Sequence, residues 1–127
     1  MDIALIGRIF PFIVESAWVT VQLTIVSLLI GLVIASLLVM ARFSRYAPIR
    51  WIAIGYISIM RGTPLLVQLF LVFFGGPQFG FEFTPFVAGV ITMGFNIGAY
   101  MSEGMRGALR AVDKGQNEAA RSLGFGR

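Results

Sequence analysis

The sequence predicts an all-α membrane protein built on three membrane-crossing helices, and three observations carry that prediction. Of 127 residues, 57% are hydrophobic and only 13% charged, about half the charged share of a soluble domain, with a mean hydropathy of +0.87. The apolar residues lie in long uncharged runs separated by short basic segments, the layout of a multi-pass chain. Cys and His are both absent. Their absence excludes a disulfide scaffold, the usual zinc, haem and iron–sulfur ligands, and Cys–His or Ser–His–Asp catalysis. The apolar content and 12 Phe exclude disorder. No catalytic residue and no metal site is therefore expected. The net charge of +4 comes from clusters between apolar runs rather than a stripe, so it is read as marking one membrane side and not a nucleic-acid surface.

Residues 1–16 are expected as an external or interfacial segment. Ile3 to Val14 is too short to span and reads as an interfacial helix broken at Pro11. Asp2 and Glu15 stand where a signal peptide would carry basic residues, so the following span is expected to be retained. That first span, 17–41, is 25 residues without a charge. As a helix it extends roughly 37 Å against a hydrocarbon core of about 30 Å. The second, 51–74, is apolar except for Arg61 and ends at Gly75-Gly76-Pro77. It is expected as one helix kinked at Pro64, with Arg61 about 15 Å from its inner end. A register starting at Gly62 would leave Arg61 at the interface but would have to run through Gly75, Gly76 and Pro77. The third span is expected over 84–112.

Orientation follows from the basic residues near the span ends. Arg42, Arg45 and Arg50 fill one connection, and none lies between Gly75 and Pro85. The tail carries Arg106, Arg110, Lys114, Arg121 and Arg127. This places the N-terminus outside, with the arginine connection and the tail inside.

Chemistry concentrates at three places. Pro64 cannot donate a backbone N–H, so the carbonyl of Met60 loses its helical partner; Gly62 loosens the same turn and Thr63 can bond freed backbone. A weakened helix at membrane depth is tolerated only where protein or a water-filled cavity covers it. Arg61 adds a charge costing about 2.5–3.5 kcal/mol at mid-bilayer. The turn from Arg61 to Pro64 is thus expected to be a hinge or cavity wall, the alternative being a kinked helix whose arginine snorkels inward. On the third span Asn96, Tyr100, Glu103 and Gly107 share one face by their spacing. Glu103 at that depth suits a substrate's amino or cationic group and Arg61 its carboxylate; alternatively Glu103 and Arg106 form a neutralising pair. Gly89, Gly94, Gly98, Ala99 and Gly104 allow close helix approach. In the tail, Gly115 is expected to break the span's helix, Gln116 to Leu123 to form a short helix, and Gly124 to close it. A small-residue helix of this kind has little to bury alone and suits docking into another protein. A three-span holin-like or assembly protein without ligand also fits the length and the basic tail. An ion channel would need a filter sequence or acidic ring that is not present.

RGTPLLVQ in the second span and GQNEAARSLG after the third resemble the polar amino-acid permeases of type I ATP-binding-cassette importers, and ESAWVTVQLTIVSLLIGLVIASLL is similar to that family's first span. The resemblance covers essentially the whole chain. It implies the N-terminal part (17–127) of a permease domain that normally has five spans, with a cytoplasmic EAA loop over 113–127. By resemblance, Gly115, Glu118, Ala119, Ala120 and Gly124 form the coupling helix against an ATPase subunit. Arg61, Thr63, Pro64, Asn96, Tyr100 and Glu103 remain the pathway candidates. The implied partners are that ATPase, which binds ATP and magnesium; a second permease, itself or a paralogue; a periplasmic or lipid-anchored amino-acid-binding protein; and membrane lipid. The chain itself is expected to hold no cofactor. The implied location is a bacterial inner membrane. The family pattern continues past the EAA loop with an Ile-x-Leu-Pro stretch and two more spans, so a fragment or a truncated product is expected.

Overall fold

The computed structural model describes residues 3–125; Asp2 and Arg127, used above, lie outside the described residues. Among the described residues five α-helices follow one another: α1 (Ile3–Arg42), α2 (Ala47–Gly62), α3 (Leu65–Gly75), α4 (Pro85–Ala111) and α5 (Lys114–Ser122), with a single 3₁₀ turn, Gly76–Phe79, after α3.

α1 is 40 residues long. Apart from the buried Ser27 Oγ, which has no hydrogen-bond partner among the described residues, three of its hydroxyls bond back to their own helix: Thr20 Oγ1 donates to the Ser16 carbonyl at 2.9 Å, Thr24 to Thr20 at 2.8 Å and Ser36 to Leu32 at 2.9 Å. These polar groups therefore need no water, and the helix can present Phe12, Leu29, Val33 and Leu37 to an apolar surround, each more than half exposed. The expected break at Pro11 does not occur, because α1 runs straight through it. Pro11 forfeits the bond to the Gly7 carbonyl, one bond in a helix of 40 residues. In a membrane every remaining helical bond is favoured over an unsatisfied group. The apolar stretch able to cross a membrane is accordingly Ile9–Arg42, with a mean hydropathy of 2.8 over an 18-residue window within it, and it starts well before the expected Ala17.

The second expected span also differs. It is two helices, α2 and α3, meeting at 101°, rather than one kinked helix; the pair is long and apolar enough to cross a membrane only if taken together. The missing donor of Pro64 would by itself produce a kink. The sharper bend arises because proline also bars its predecessor from helical backbone. Thr63 (φ −116°, ψ 142°) and Pro64 (φ −62°, ψ 136°) are both extended. α3 then ends at Gly75, and the chain turns at Gly80, which has φ +83°, a conformation that suits glycine.

α4 is the central helix. Thr84 Oγ1 caps it by accepting from the Val87 N–H at 3.3 Å, and it packs against α1, α2 and α3. Its buried positions are small: Ala88, Gly89, Gly94, Gly98, Ala99 and Ser102 among them. Against α1 the fit is close. A Cβ on Gly98 would lie 2.6 Å from Ile34 Cγ2, one on Gly94 2.8 Å from Ile30 Cγ2, and one on Gly31 2.7 Å from Ile97 Cγ2. The backbones thus approach at a distance that only glycine permits.

The break between α4 and α5 falls at Val112 and Asp113, not at Gly115. Val112 is extended (φ −63°, ψ 123°). Asp113 caps α5, its Oδ1 accepting the Gly115 N–H at 2.9 Å, so Gly115 sits inside the first turn. An aspartate whose carboxylate satisfies free N–H groups starts a helix more effectively than a glycine ends one.

Candidate functional site

The α2–α3 break exposes backbone that must be satisfied. The Met60 carbonyl, deprived of its partner by Pro64, accepts from Gln68 Nε2 at 3.0 Å and from Asn96 Nδ2 at 3.1 Å. Gln68 Nε2 also lies 2.7 Å from Thr63 Oγ1 and 3.2 Å from the Thr63 carbonyl, while Thr63 Oγ1 donates to the Ile59 carbonyl at 2.8 Å. Asn96 Nδ2 closes the network on Gln68 Oε1 at 3.1 Å. Two amide side chains, one from α3 and one from α4, thus replace the missing turn. Nearby, the Tyr56 hydroxyl donates to the Phe95 carbonyl at 2.9 Å and fastens α2 to α4. A small apolar cavity of about 230 Å³ adjoins, lined by Met60, Gln68, Val72, Ile91, Thr92 and Phe95.

About two turns along α4 is a charge cluster. Among the described residues every ion pair ends on Glu103. Arg42 Nη1 contacts Oε1 at 2.8 Å, Arg106 Nη2 contacts Oε2 at 2.7 Å and Arg61 Nη1 approaches Oε2 at 3.8 Å. Arg106 Nε adds a bond to Oε1 at 3.3 Å. Arg61 also lies over the Tyr100 ring, 5.3 Å from its centroid, a cation–π contact. The single carboxylate thus ties the ends of α1 and α2 to α4. Arg61 is the least engaged of the three arginines, with its side chain 44% exposed against 20–21% for the others.

The six candidates around Arg61 and Glu103 therefore come together, but in different situations. Thr63 has its hydroxyl, and Asn96 its amide nitrogen, spent on the break. Glu103 has both oxygens occupied, so a substrate amine would compete with three guanidinium groups. Arg61 and Tyr100 remain accessible. Two participants escaped the sequence reading. Gln68 had a signal, a lone amide four residues after Pro64 in an apolar helix. Arg42 had none, because it meets Glu103 across 61 positions and reads locally as a loop charge.

At the other end of α4, the α5 candidates form a small unit. The Gly124 N–H bonds the Arg121 carbonyl at 3.0 Å and the Phe125 N–H bonds that of Ala120 at 3.0 Å, with Gly124 at φ +85°. This is a Schellman cap. Glu118 and Ala119 are exposed, as are Leu123 at 78% and Phe125 at 69%. An open groove of about 580 Å³ is lined by Gly115, Gln116, Ala119, Ala120, Leu123 and Phe125 with Asp113. Among the described residues α5 packs against no other helix beyond marginal contact.

Comparison with known proteins agrees with this geometry. The family described as binding-protein-dependent transport system inner membrane component matches residues 27–127. The arginine transport system permease protein ArtQ of Bacillus subtilis (strain 168) is 44% identical over 115 residues, covering 90% of this chain and 52% of the relative. The L-cystine transport system permease protein TcyB of the same organism is 41% identical over 116 residues, covering 91% and 50%. A crystal structure of an amino acid ABC transporter with histidines superposes with a TM-score of 0.92 at 38% identity, covering all of this chain and 59% of that one. The chain spans about half the length of the relatives it matches. The chain belongs to the family of binding-protein-dependent transport system inner membrane components.

Proposed function

We propose that this chain forms part of the permease of an ATP-driven importer of polar amino acids. It contributes to the translocation pathway and transmits the motion of a partner ATPase through α5. The reading is supported most by α5 itself. A helix capped at both ends that buries nothing on its own chain, with Leu123 and Phe125 exposed beside Ala119 and Ala120, is shaped to fill a groove on another subunit. Glu118, Ala119 and Ala120 then face the ATPase, with Gly115 and Gly124 setting the helix ends.

The remaining roles belong to the same proposal. The N-terminus lies outside, and the arginine-rich connection and α5 lie at the cytoplasmic face, as the charge distribution favours. α1, the bent α2–α3 pair and α4 make three crossings, with α4 shielded by its neighbours. A second permease subunit completes the pathway, and a separate binding protein delivers the amino acid. Relatives named for arginine and cystine share the α-amino-acid group, and Arg61, accessible beside Tyr100, receives its carboxylate. Glu103, Thr63, Pro64 and Asn96 hold Arg61 and the break in place. In the assembled transporter, Glu118→Lys should abolish substrate-stimulated ATP hydrolysis while leaving membrane insertion unchanged. Undiminished stimulation would remove the coupling role from α5.

A further inference from the structure

A groove of about 380 Å³ runs between α1 and α2, walled by Ile34, Leu38 and Ala41 on one side and Ile49 and Ala53 on the other, with Phe95 at its floor. It presents almost no polar surface, since the hydroxyl of Tyr56, which also lines it, is spent on the Phe95 carbonyl. One end is defined by Ala41 and Ile49, which flank the α1–α2 connection. That connection and the first turn of α2 hold Arg42, Arg45 and Arg50 and no acidic residue. Arg42 turns away to Glu103 at 2.8 Å. Arg45 is held over its neighbour, its guanidinium 4.9 Å from the Tyr46 ring centroid and 2.9 Å from the Tyr46 hydroxyl. Neither Arg45 nor Arg50 forms an ion pair among the described residues.

We propose that this groove is a binding site for an anionic diacyl phospholipid, with an acyl chain along the apolar walls and the headgroup phosphate on Arg45 and Arg50. The charge complementarity selects the occupant. An apolar slot lined at one end by Ala41 and Ile49, next in the chain to a connection and helix start carrying Arg45 and Arg50 without an ion pair among the described residues, matches an amphiphile with one anionic end. A further apolar helix laid in the same slot would leave both arginines uncompensated. The site depends on the membrane placement of the chain and not on its transport role.

The full chain in lipid vesicles offers a direct test. Its two tryptophans are Trp18 and Trp51, and Trp51 follows Arg50 and is 65% exposed. In a Trp18→Phe background, brominated phosphatidylglycerol should quench Trp51 at a mole fraction about twenty-five-fold lower than brominated phosphatidylcholine with the same chains, since each of the two arginines near an anionic lipid contributes a factor of about five. Arg45→Gln with Arg50→Gln should equalise the two lipids, while Arg45→Lys with Arg50→Lys should keep the preference. Ala41→Leu, which fills the groove, should reduce quenching by the anionic lipid. Equal quenching of the parent protein by both lipids would overturn the site, as would a preference that survives the glutamine pair. An Ala41→Leu variant that quenches normally would mean charge attraction without a groove. Protection of Trp51 from both lipids would mean that protein covers the groove, and would equally end the proposal.

Discussion

The side-chain amide of Asn96 donates to the main-chain carbonyl of Met60 at 3.1 Å. The contact joins the middle of α4 to the last turn of α2, where Pro64 has removed the helical donor. Gln68 reaches the same carbonyl from α3 at 3.0 Å. A broken helix is stable here because two amides supply what the backbone lacks, and they fix where Arg61 emerges.

This assigns the network a measurable energy. Gln68→Leu should destabilise the protein by about 1–3 kcal/mol, because it removes the side-chain donor to the Thr63 carbonyl, leaves the Met60 carbonyl with Asn96 alone and takes the partner of the Asn96 amide. Asn96→Leu should cost a similar amount. The double variant should fall short of the sum by about 0.5–3 kcal/mol, because the bond between the two amides is lost in either single variant and so is counted twice. Denaturant titration in mixed micelles, followed by helical circular dichroism, reads all three.

Pro64→Ala should relax the bend. Spin labels at the exposed positions Ile52 and Leu71 would lie about 28 Å apart, backbone to backbone, on a continuous helix, and closer across a 101° break. The alanine variant should shift the distance distribution towards the longer value. An unchanged distribution would mean that the amide network alone sets the angle.

Gly98→Ala should destabilise the α1–α4 contact by about 1–3 kcal/mol through overpacking, since its new methyl would meet Ile34 Cγ2 at 2.6 Å. Ile34→Ala in the same chain removes the Cγ2 contact but leaves the Cβ of residue 34 at 2.8 Å, so it should recover only part of the loss. Thermal unfolding of the single and double variants would show it.

The charge cluster should rank its members by engagement. Glu103→Gln leaves three arginines facing one another, so it should lower the melting temperature most. Arg42→Gln should lower it less, because Glu103 keeps Arg106. Arg61→Gln should lower it least, since its contact is 3.8 Å long and its side chain the most exposed of the cluster. A melting series in one detergent distinguishes this order from three equal effects.

Much of this was legible in the residues. The orphaned Met60 carbonyl follows from Pro64 alone, and the polar face of α4 from the spacing of Asn96, Tyr100 and Glu103. The 101° angle was not, because it depends on Thr63 and Pro64 leaving the helix together, with Gln68 and Asn96 holding them there. Pro11 misled because a local rule about one bond yields to the cooperativity of a 40-residue helix. Gly115 misled because Asp113 captures its N–H first. The Arg42–Glu103 pair is purely tertiary and has no local pattern to betray it.

The central claim is tested most directly by uptake. The complete transporter, with its ATPase and binding protein, would be reconstituted in sealed vesicles and supplied with radiolabelled polar amino acids. ATP-dependent accumulation of at least one amino acid, lost when Glu118→Lys is introduced into an otherwise intact complex, is the expected result. An assembled complex that hydrolyses ATP yet accumulates none of them, or one that accumulates them equally well with lysine at position 118, would contradict the account.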